Sequence, residues 1–465
     1  MTGLLAADTI KQKDAKARSD WTRTGGSNMD KRNFGIEPEL DIISEGVTLP
    51  FPPMEYRNRV NKIRKKMYET GIDMLYLTSP ESMYYVTGLN MVWYAANSSS
   101  LWDVNKGPGV ALHVDSEDVL LFQMADEFRL TESHAFATEV FIKAETESSV
   151  LNGRTFEGPG PNQDVLDLIV KDLKNRKWLN CRVGLELGSY RPPARVFMAL
   201  QEKFMAEGCT VSDGTNIVAE IRSIKSPMEI NYIRRAAYIA DIAHKAIADN
   251  IHGGMTELQV VGLHTKAAMD AGGEAMGIVE MVRSGIGKVW MGHPSASRRI
   301  MMPGEPVATD LSGVYNRYHA NVGRFYHIGE PTADYAEEYR KSNAAIMTEL
   351  KKILKPKMPV KDFFREMIRV YEGYGLWDDQ AFMGGYEMGI AFPPDWCGEF
   401  VYDAFLDMGD KVFEPGMTVN FETGFGVIDP VIFLEDSVEY PSRTSYELCI
   451  VPETRAEWER GRDKV

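Results

Sequence analysis

Polar residues stand at or near the ends of short apolar runs in the second half of this sequence: His293, Asp310, Asn321, Tyr386, Glu422 and the pair Glu435-Asp436. Carboxylates inside stretches such as VNFETGF and VIFLEDSV are costly to bury unless they are paired, metal-bound or hydrogen-bonded. Several of them together point to one converged site. The stretch DLSGVYNRYHANVGRFYHIGEP, Asp310 to Pro331, concentrates Arg317, Tyr318, His319, Asn321 and Arg324 between two apolar runs, which a solvent-facing hairpin would not need. A Gly, Asn and Ser-rich loop, TGLNMVWYAANSSSLWDVNKG, adds Trp93, Tyr94 and Trp102, aromatics harder to assign to a core than those on a helical stripe. With Trp290 and Trp396 flanking the polar residues, they suggest an aromatic cage for a small cation or zwitterion, where each cation–π contact contributes about 0.5–2 kcal/mol. The alternative is packing between subunits.

The spacing of apolar residues defines the elements that must hold this chemistry. Residues 1–50 are polar up to ELDIISEGVTLPFPP, whose prolines mark a boundary, so they read as an arm before the first domain. From 51 to about 215, the pattern predicts an α/β layer. It shows helical spacing in YRNRVNKIRKKMYETGID, a buried strand and a Ser79-Pro80 turn in MLYLTSPESMYYVTGL, and two strands split by DSED. Further helices follow at NQDVLDLIVKDLKN and PARVFMALQEKFMAEG. From 216 to 465, Ser226-Pro227 followed by Glu229 reads as an N-cap, a first-turn proline and an acidic first turn, so a long amphipathic helix starts there. Another helix at TELQVVGLHTKAAMDAGG precedes short strands at IVEMVRSG, EPVATDLSG, HANVGRFYHIG, GMTVNFETGFG and VIFLEDSVEY, interrupted by two helical segments near 333–373. This half is α+β, with helices on a curved, mainly antiparallel sheet.

Composition narrows the function classes. A chain of 465 residues with 44% hydrophobic content suits two globular domains. Lys plus Arg number 52 against 67 Asp plus Glu, a net charge of −15 that argues against nucleic acid or an anionic membrane surface as partner. Cys181, Cys209, Cys397 and Cys449 have no zinc-like spacing and read as reduced thiols of a cytoplasmic protein. No apolar run approaches the ~20 residues of a membrane span, and the polar N-terminus lacks a signal-peptide core.

The segments IRSIKSPMEINYIRRAA and YYVTGL and the strand series resemble the pita-bread family, over most of residues 55–450. That family includes methionine and Xaa-Pro aminopeptidases, creatinase, ectoine hydrolase and the dimethylsulfoniopropionate lyase. The resemblance implies a creatinase-like α/β N-terminal domain and an α+β pita-bread C-terminal catalytic domain. In the metal-dependent peptidases, Asp, Asp, His, Glu and Glu hold two metal ions, and the motifs place the matching residues at Asp310, Asn321, Tyr386, Glu422 and Glu435. Asn is a weak neutral ligand, and a phenol with a reference pKa of ~10 replaces the imidazole. Asp310, Glu422 and Glu435 could still hold one hard divalent ion such as Mg or Mn. The expectation is nevertheless a site without cofactor.

Two segments extend the resemblance. RYHANVGR is similar to RYHAPLSRT, and GYEMGIAFPPDWCGE to GYSIGLSYPPDWGE, as in ectoine hydrolase and its relatives. Asn321, Gly323 and Phe325 depart from the Pro, Ser and Thr found there, and Glu422 is kept where ectoine hydrolase lacks it. Creatinase hydrolyses a C–N bond without metal through a histidine whose position SGIGKVWMGHPSAS matches at His293. The implied roles are Asp310 as nucleophile or base, with Glu422 and Asp436 as alternatives for the attacking carboxylate and Glu435 in the catalytic set, His293 as proton shuttle, and Tyr386 as donor to an oxyanion. His319 and Arg324 would orient substrate or bind an anion. For His319 the alternative is a satisfied structural histidine, and for Tyr386 a core tyrosine.

The expected function is metal-independent hydrolysis of a non-peptide C–N bond in a small zwitterionic solute, by a homodimer whose aromatic loop reaches the partner's site. Three alternatives stand beside it. A dimethylsulfoniopropionate-type lyase is suggested by the N-terminal arm, NMVWY and TDLSGVY, but weakened by Asn321 and Tyr386. An Xaa-Pro peptidase suffers the same loss. A non-enzymatic binding module has no need of buried carboxylates.

Overall fold

The computed structural model describes residues 43–44, 47–90, 109–123, 134–142, 163–285, 293–378, 382–423 and 426–462. Most of the N-terminal arm, the loop with Trp93, Tyr94 and Trp102, and Trp290 lie outside the described residues.

A short antiparallel pair, β1 (Ile43–Ser44) and β2 (Val47–Thr48), leads into α1 (Pro53–Thr70). This helix buries Tyr56, Val60, Ile63 and Met67, one face at helical spacing, and ends at Gly71 in the left-handed region at φ 73°. β3 (Met74–Leu77) follows, then α2 (Pro80–Thr87), whose N-cap Ser79 accepts from the Ser82 N–H and whose proline sits in the first turn. β4 (Gly109–His113) and β5 (Val119–Gln123) flank the DSED turn. β6 (Glu139–Ile142), α3 (Gln163–Asn175), β7 (Arg182–Leu185), α4 (Ala194–Ala206), β8 (Thr210–Asp213) and α5 (Thr215–Ser223) complete this part. Among the described residues its sheet is mixed and six-stranded, in the order β6-β5-β4-β3-β7-β8. Met74, Tyr76, Leu120 and Phe122 on one face pack against Leu166, Leu173, Leu200 and Phe204 from the helices.

The long helix α6 (Pro227–Asn250) begins where its cap residues demand: Ser226 Oγ accepts from the Glu229 N–H, and Glu229 Oε2 accepts from the Ser226 N–H at 2.8 Å. α7 (Glu257–Asp270) repeats the device with Thr256 and Gln259. Strands β9 (Met281–Ser284), β10 (Pro306–Tyr315), β11 (Tyr318–Ile328), β12 (Gly384–Glu387), β13 (Val401–Asp403), β14 (Thr418–Glu422), β15 (Ile428–Phe433), β16 (Val438–Glu439) and β17 (Cys449–Val451) form the second sheet. Its order is β13-β12-β14-β15-β11-β10-β9, with β16 on β15 and β17 parallel to β11. The β10–β11 hairpin turns through Asn316 and Arg317, both at positive φ (47° and 62°), as a two-residue turn of primed type requires. α6 lies against this hairpin, and Gly313 permits the approach, since a Cβ there would sit 2.0 Å from the Ala236 carbonyl oxygen.

One buried group joins the two parts. Arg59 of α1 donates to the Tyr85 carbonyl at 3.1 Å and to the Tyr318 hydroxyl at 3.3 Å, and Tyr318 donates to Glu229 Oε1 at 2.8 Å. Its guanidinium also lies over the rings of Phe51 and Tyr85.

Candidate active site

Strand register brings polar side chains from five strands to one face of the larger sheet. Asp310 pairs with Met281 and Gly323, Ala308 with Arg283, and Ser312 with Asn321. Gly323 pairs also with Ile428, Ile428 with Glu422, and Asn420 with Tyr386. Directly opposed residues, and residues two apart on a strand, point the same way. Arg283, Asp310, Asn321, Tyr386, Asn420 and Glu422 therefore share a face.

Their hydrogen bonds run in one direction. Asn321 Nδ2 donates to Asp310 Oδ1 at 2.7 Å and to the Tyr386 hydroxyl at 2.9 Å, and Asn420 Nδ2 donates to the same hydroxyl at 3.3 Å. The Tyr386 hydroxyl lies near enough to Glu422 to favour its ionised form. The Oδ1 atoms of Asn321 and Asn420 are buried and find no protein partner among the described residues.

Charge is distributed unevenly over this face. Burial, followed by the negative charge of Asp310, pushes the Glu422 carboxyl up to about 8, against the pull of Arg283 and Tyr386. Burial also raises Asp310, opposed by the Asn321 hydrogen bond and the positive charges of Arg283 and His293. Both carboxyl groups are therefore pushed toward the protonated form, and they titrate as a coupled pair. Burial drives the Tyr386 phenol well above its usual range, so it stays neutral.

The other expected site residues are placed differently. His293 is exposed, within electrostatic reach of Asp310. Glu435 does not join the site: it lies on the exposed turn between β15 and β16 and is ion-paired with Lys357. A three-carboxylate metal set is thereby reduced to Asp310 and Glu422. His319 is buried with both ring nitrogens bonded, Nδ1 to the Arg317 carbonyl at 2.9 Å and Nε2 accepting from the Gly277 N–H at 2.9 Å. Burial, then the Arg317 charge, lowers it to about 3, so it is a neutral scaffold residue and offers substrate nothing.

Arg324 points to the opposite face. It donates to Asp429 Oδ1 at 2.7 Å and to the carbonyls of Ile428 and Thr444, and cannot bind a substrate anion. Arg317 donates to the carbonyls of Ala275 and Ala391. Trp396 is buried against Met281, Tyr386 and Met388 and forms a wall behind the phenol, not part of an open cage. In the polar stretch that follows Asp310, only Asn321 reaches the carboxylates.

Two residues were missed from the sequence. Arg283 is the charged residue of β9 (MVRS), and Asn420 precedes Glu422 by two residues in VNFETGF. The period-2 rule would have found Asn420; Arg283 needed the register with β10.

Beside the site lies a cavity of about 200 Å³ between the two parts of the chain. Its lining includes Glu81, Glu186, Asp395 and Glu399 against one cation, Arg222. Glu186 accepts from the Thr78 and Ser79 N–H groups at 2.6 and 2.7 Å, and Tyr190 closes the wall by donating to the Pro393 carbonyl at 2.9 Å. Cys397 connects cavity and site. Desolvation raises its thiol first, then Asp395, and the charges of Glu422 and Asp310 add to the effect.

The comparisons agree with this architecture. Residues 59–224 match the Creatinase/Prolidase N-terminal domain and residues 231–440 match Metallopeptidase family M24. An ectoine hydrolase from Halomonas elongata is 25% identical over 406 residues, 84% of this chain and 94% of the relative. An Xaa-Pro dipeptidase from Pyrococcus furiosus is 24% identical over 401 residues, 84% and 99% of the two chains. The solved structure of an Xaa-Pro dipeptidase from Bacillus anthracis superposes with a TM-score of 0.68 at 20% identity, covering 85% of this chain and all of that one, a likeness of fold.

Proposed function

Because the chain belongs to the pita-bread family, with a creatinase/prolidase N-terminal domain and an M24 catalytic domain, we propose that it hydrolyses a C–N bond in a small zwitterionic compound without a metal ion. The observation that carries this reading is the placement of Asp310 and Glu422 on one face, where the Asn321 amide donates to Asp310 and to the Tyr386 hydroxyl and where burial and the Asp310 charge push Glu422 up to about 8.

The family match implies metal ions, and the donor set argues against them. Asn321 turns its amide nitrogen, which has no lone pair to offer, toward Asp310. A neutral phenol stands at Tyr386, a guanidinium lies beside the carboxylates, and Glu435 faces solvent. Among the described residues no group of three or more His, Cys, Asp or Glu side chains is placed to hold a metal ion.

The reaction then runs on two carboxyl groups. Asp310 takes a proton from water as the water oxygen bonds to the carbon, and Glu422 gives its proton to the departing nitrogen as the C–N bond breaks. The proton that Asp310 has gained then returns to Glu422, with His293, exposed near Asp310, as the relay, which restores the starting pair. The unpartnered oxygens of Asn321 and Asn420 suit N–H donors of the substrate, and the acidic cavity suits its cationic end. The relatives described above are hydrolases and peptidases, which favours hydrolysis over carbon–sulfur lysis.

A second reading, an Xaa-Pro peptidase, is favoured by the similarity to the Pyrococcus dipeptidase. Homodimerisation rests on the creatinase-like resemblance and is measured by light scattering. The deciding experiment is product analysis on an ectoine-type ring, creatine and Xaa-Pro dipeptides, with protein treated with chelator. Chelator-resistant release of a ring-opened or amidine product supports the first reading. Cleavage of dipeptides alone, abolished by chelation, would replace it with the second.

A further inference from the structure

We propose that Arg283 is the resident cation of this site, set beside the two carboxyl groups, so that it both excludes divalent ions and stabilises the anion formed when water adds to the scissile carbon. The anion-stabilising half rests on the hydrolase reading above; the metal-excluding half stands independently of it.

The argument begins with placement. Arg283 lies on β9 opposite Ala308, two residues from Asp310 on the same face, and it is buried, with 7% of its surface exposed. Its charge acts on both carboxyl groups: it favours the ionised forms of Asp310 and Glu422, and they in turn hold the guanidinium charged against desolvation. Guanidinium has no lone pair for a metal and keeps its proton at any physiological pH. A divalent ion approaching the two carboxyl groups therefore meets a fixed positive charge at short range, with little water to screen it.

The same charge serves the reaction. An oxyanion that develops on this face forms beside the Arg283 guanidinium, on the same side of the sheet as the two carboxyl groups. A buried guanidinium already in place stabilises it without reorganisation. Asn321 fits this arrangement: an aspartate there would add a second negative charge that one arginine could not balance.

The test uses the full chain and Mn²⁺. Wild-type protein incubated with Mn²⁺ and desalted should retain well under one ion per chain by elemental analysis. Arg283→Met should bind Mn²⁺ at least about tenfold more tightly by calorimetry, while Arg283→Lys, which keeps the charge, should match wild type. If Arg283→Met does not fold, Arg283→Gln takes its place. Stoichiometric metal on the wild-type chain would overturn the proposal, as would a folded charge-removing variant with no gain in affinity. Because these readouts need no substrate, a chain that binds no metal and cleaves nothing on the panel would sink the hydrolase reading and leave the metal-excluding role of Arg283 standing.

Discussion

Asn321 donates its amide hydrogen to Asp310 across the β10–β11 hairpin at 2.7 Å, so the position from which a second carboxylate would share a metal ion instead holds the first carboxylate in place. Replacing Asn321 with Asp removes that donor and sets two anions together. Asn321→Asp should lose about 1.5–3 kcal/mol of stability in chemical denaturation. The loss should be larger at pH 8 than at pH 5, where one carboxyl can take up a proton. An equal loss at both pH values would show that repulsion is not its cause.

The raised Glu422 carboxyl has consequences for pH. Its folded value of about 8 exceeds the ~4.5 of an unfolded chain, so the native state binds the extra proton between those values and stability falls as pH rises through this window. Activity should fall in the same sense, on an alkaline limb near pH 8 as the acid loses its proton. Glu422→Gln should abolish turnover and flatten the stability profile from pH 5 to 9. A profile unchanged by this substitution would place the titrating group elsewhere.

Arg324 and Asp429 form a buried ion pair on the opposite face, with Tyr446 donating to the second carboxylate oxygen at 2.6 Å. Arg324→Met leaves that carboxylate unpaired and should cost about 3–5 kcal/mol. Adding Asp429→Leu should recover much of it. The KM of the folded fraction should not change, since Arg324 does not face the site.

Glu435 is the control. Its exposed pair with Lys357 is of the kind that contributes about 0–1 kcal/mol. Glu435→Ala should leave kcat and KM within error of wild type, and a large loss of kcat would return Glu435 to the catalytic set.

Local patterns in the sequence determined much of the scaffold. Ser226, Pro227 and Glu229 announce the start of α6, because a capping box is closed within four residues. The DSED turn and the apolar strands around it are equally local, as are Asp310, Asn321, Tyr386 and Glu422 as polar residues within apolar runs. Alternation alone separates Arg324 from Asn321, since an odd step along a strand reverses the face.

Only the tertiary structure decided which of these side chains meet. His319 has the same parity as Asn321, yet the chain around Gly277 and Arg317 satisfies both its nitrogens. Glu435 matches a family ligand by its motif, but the strand ends first and the residue turns into solvent. Arg283 joins the carboxylates only because β9 pairs with β10 in a particular register. A strand's sequence sets its period, whereas its register depends on partners distant in the chain, and that pairing placed a guanidinium beside Asp310 and Glu422.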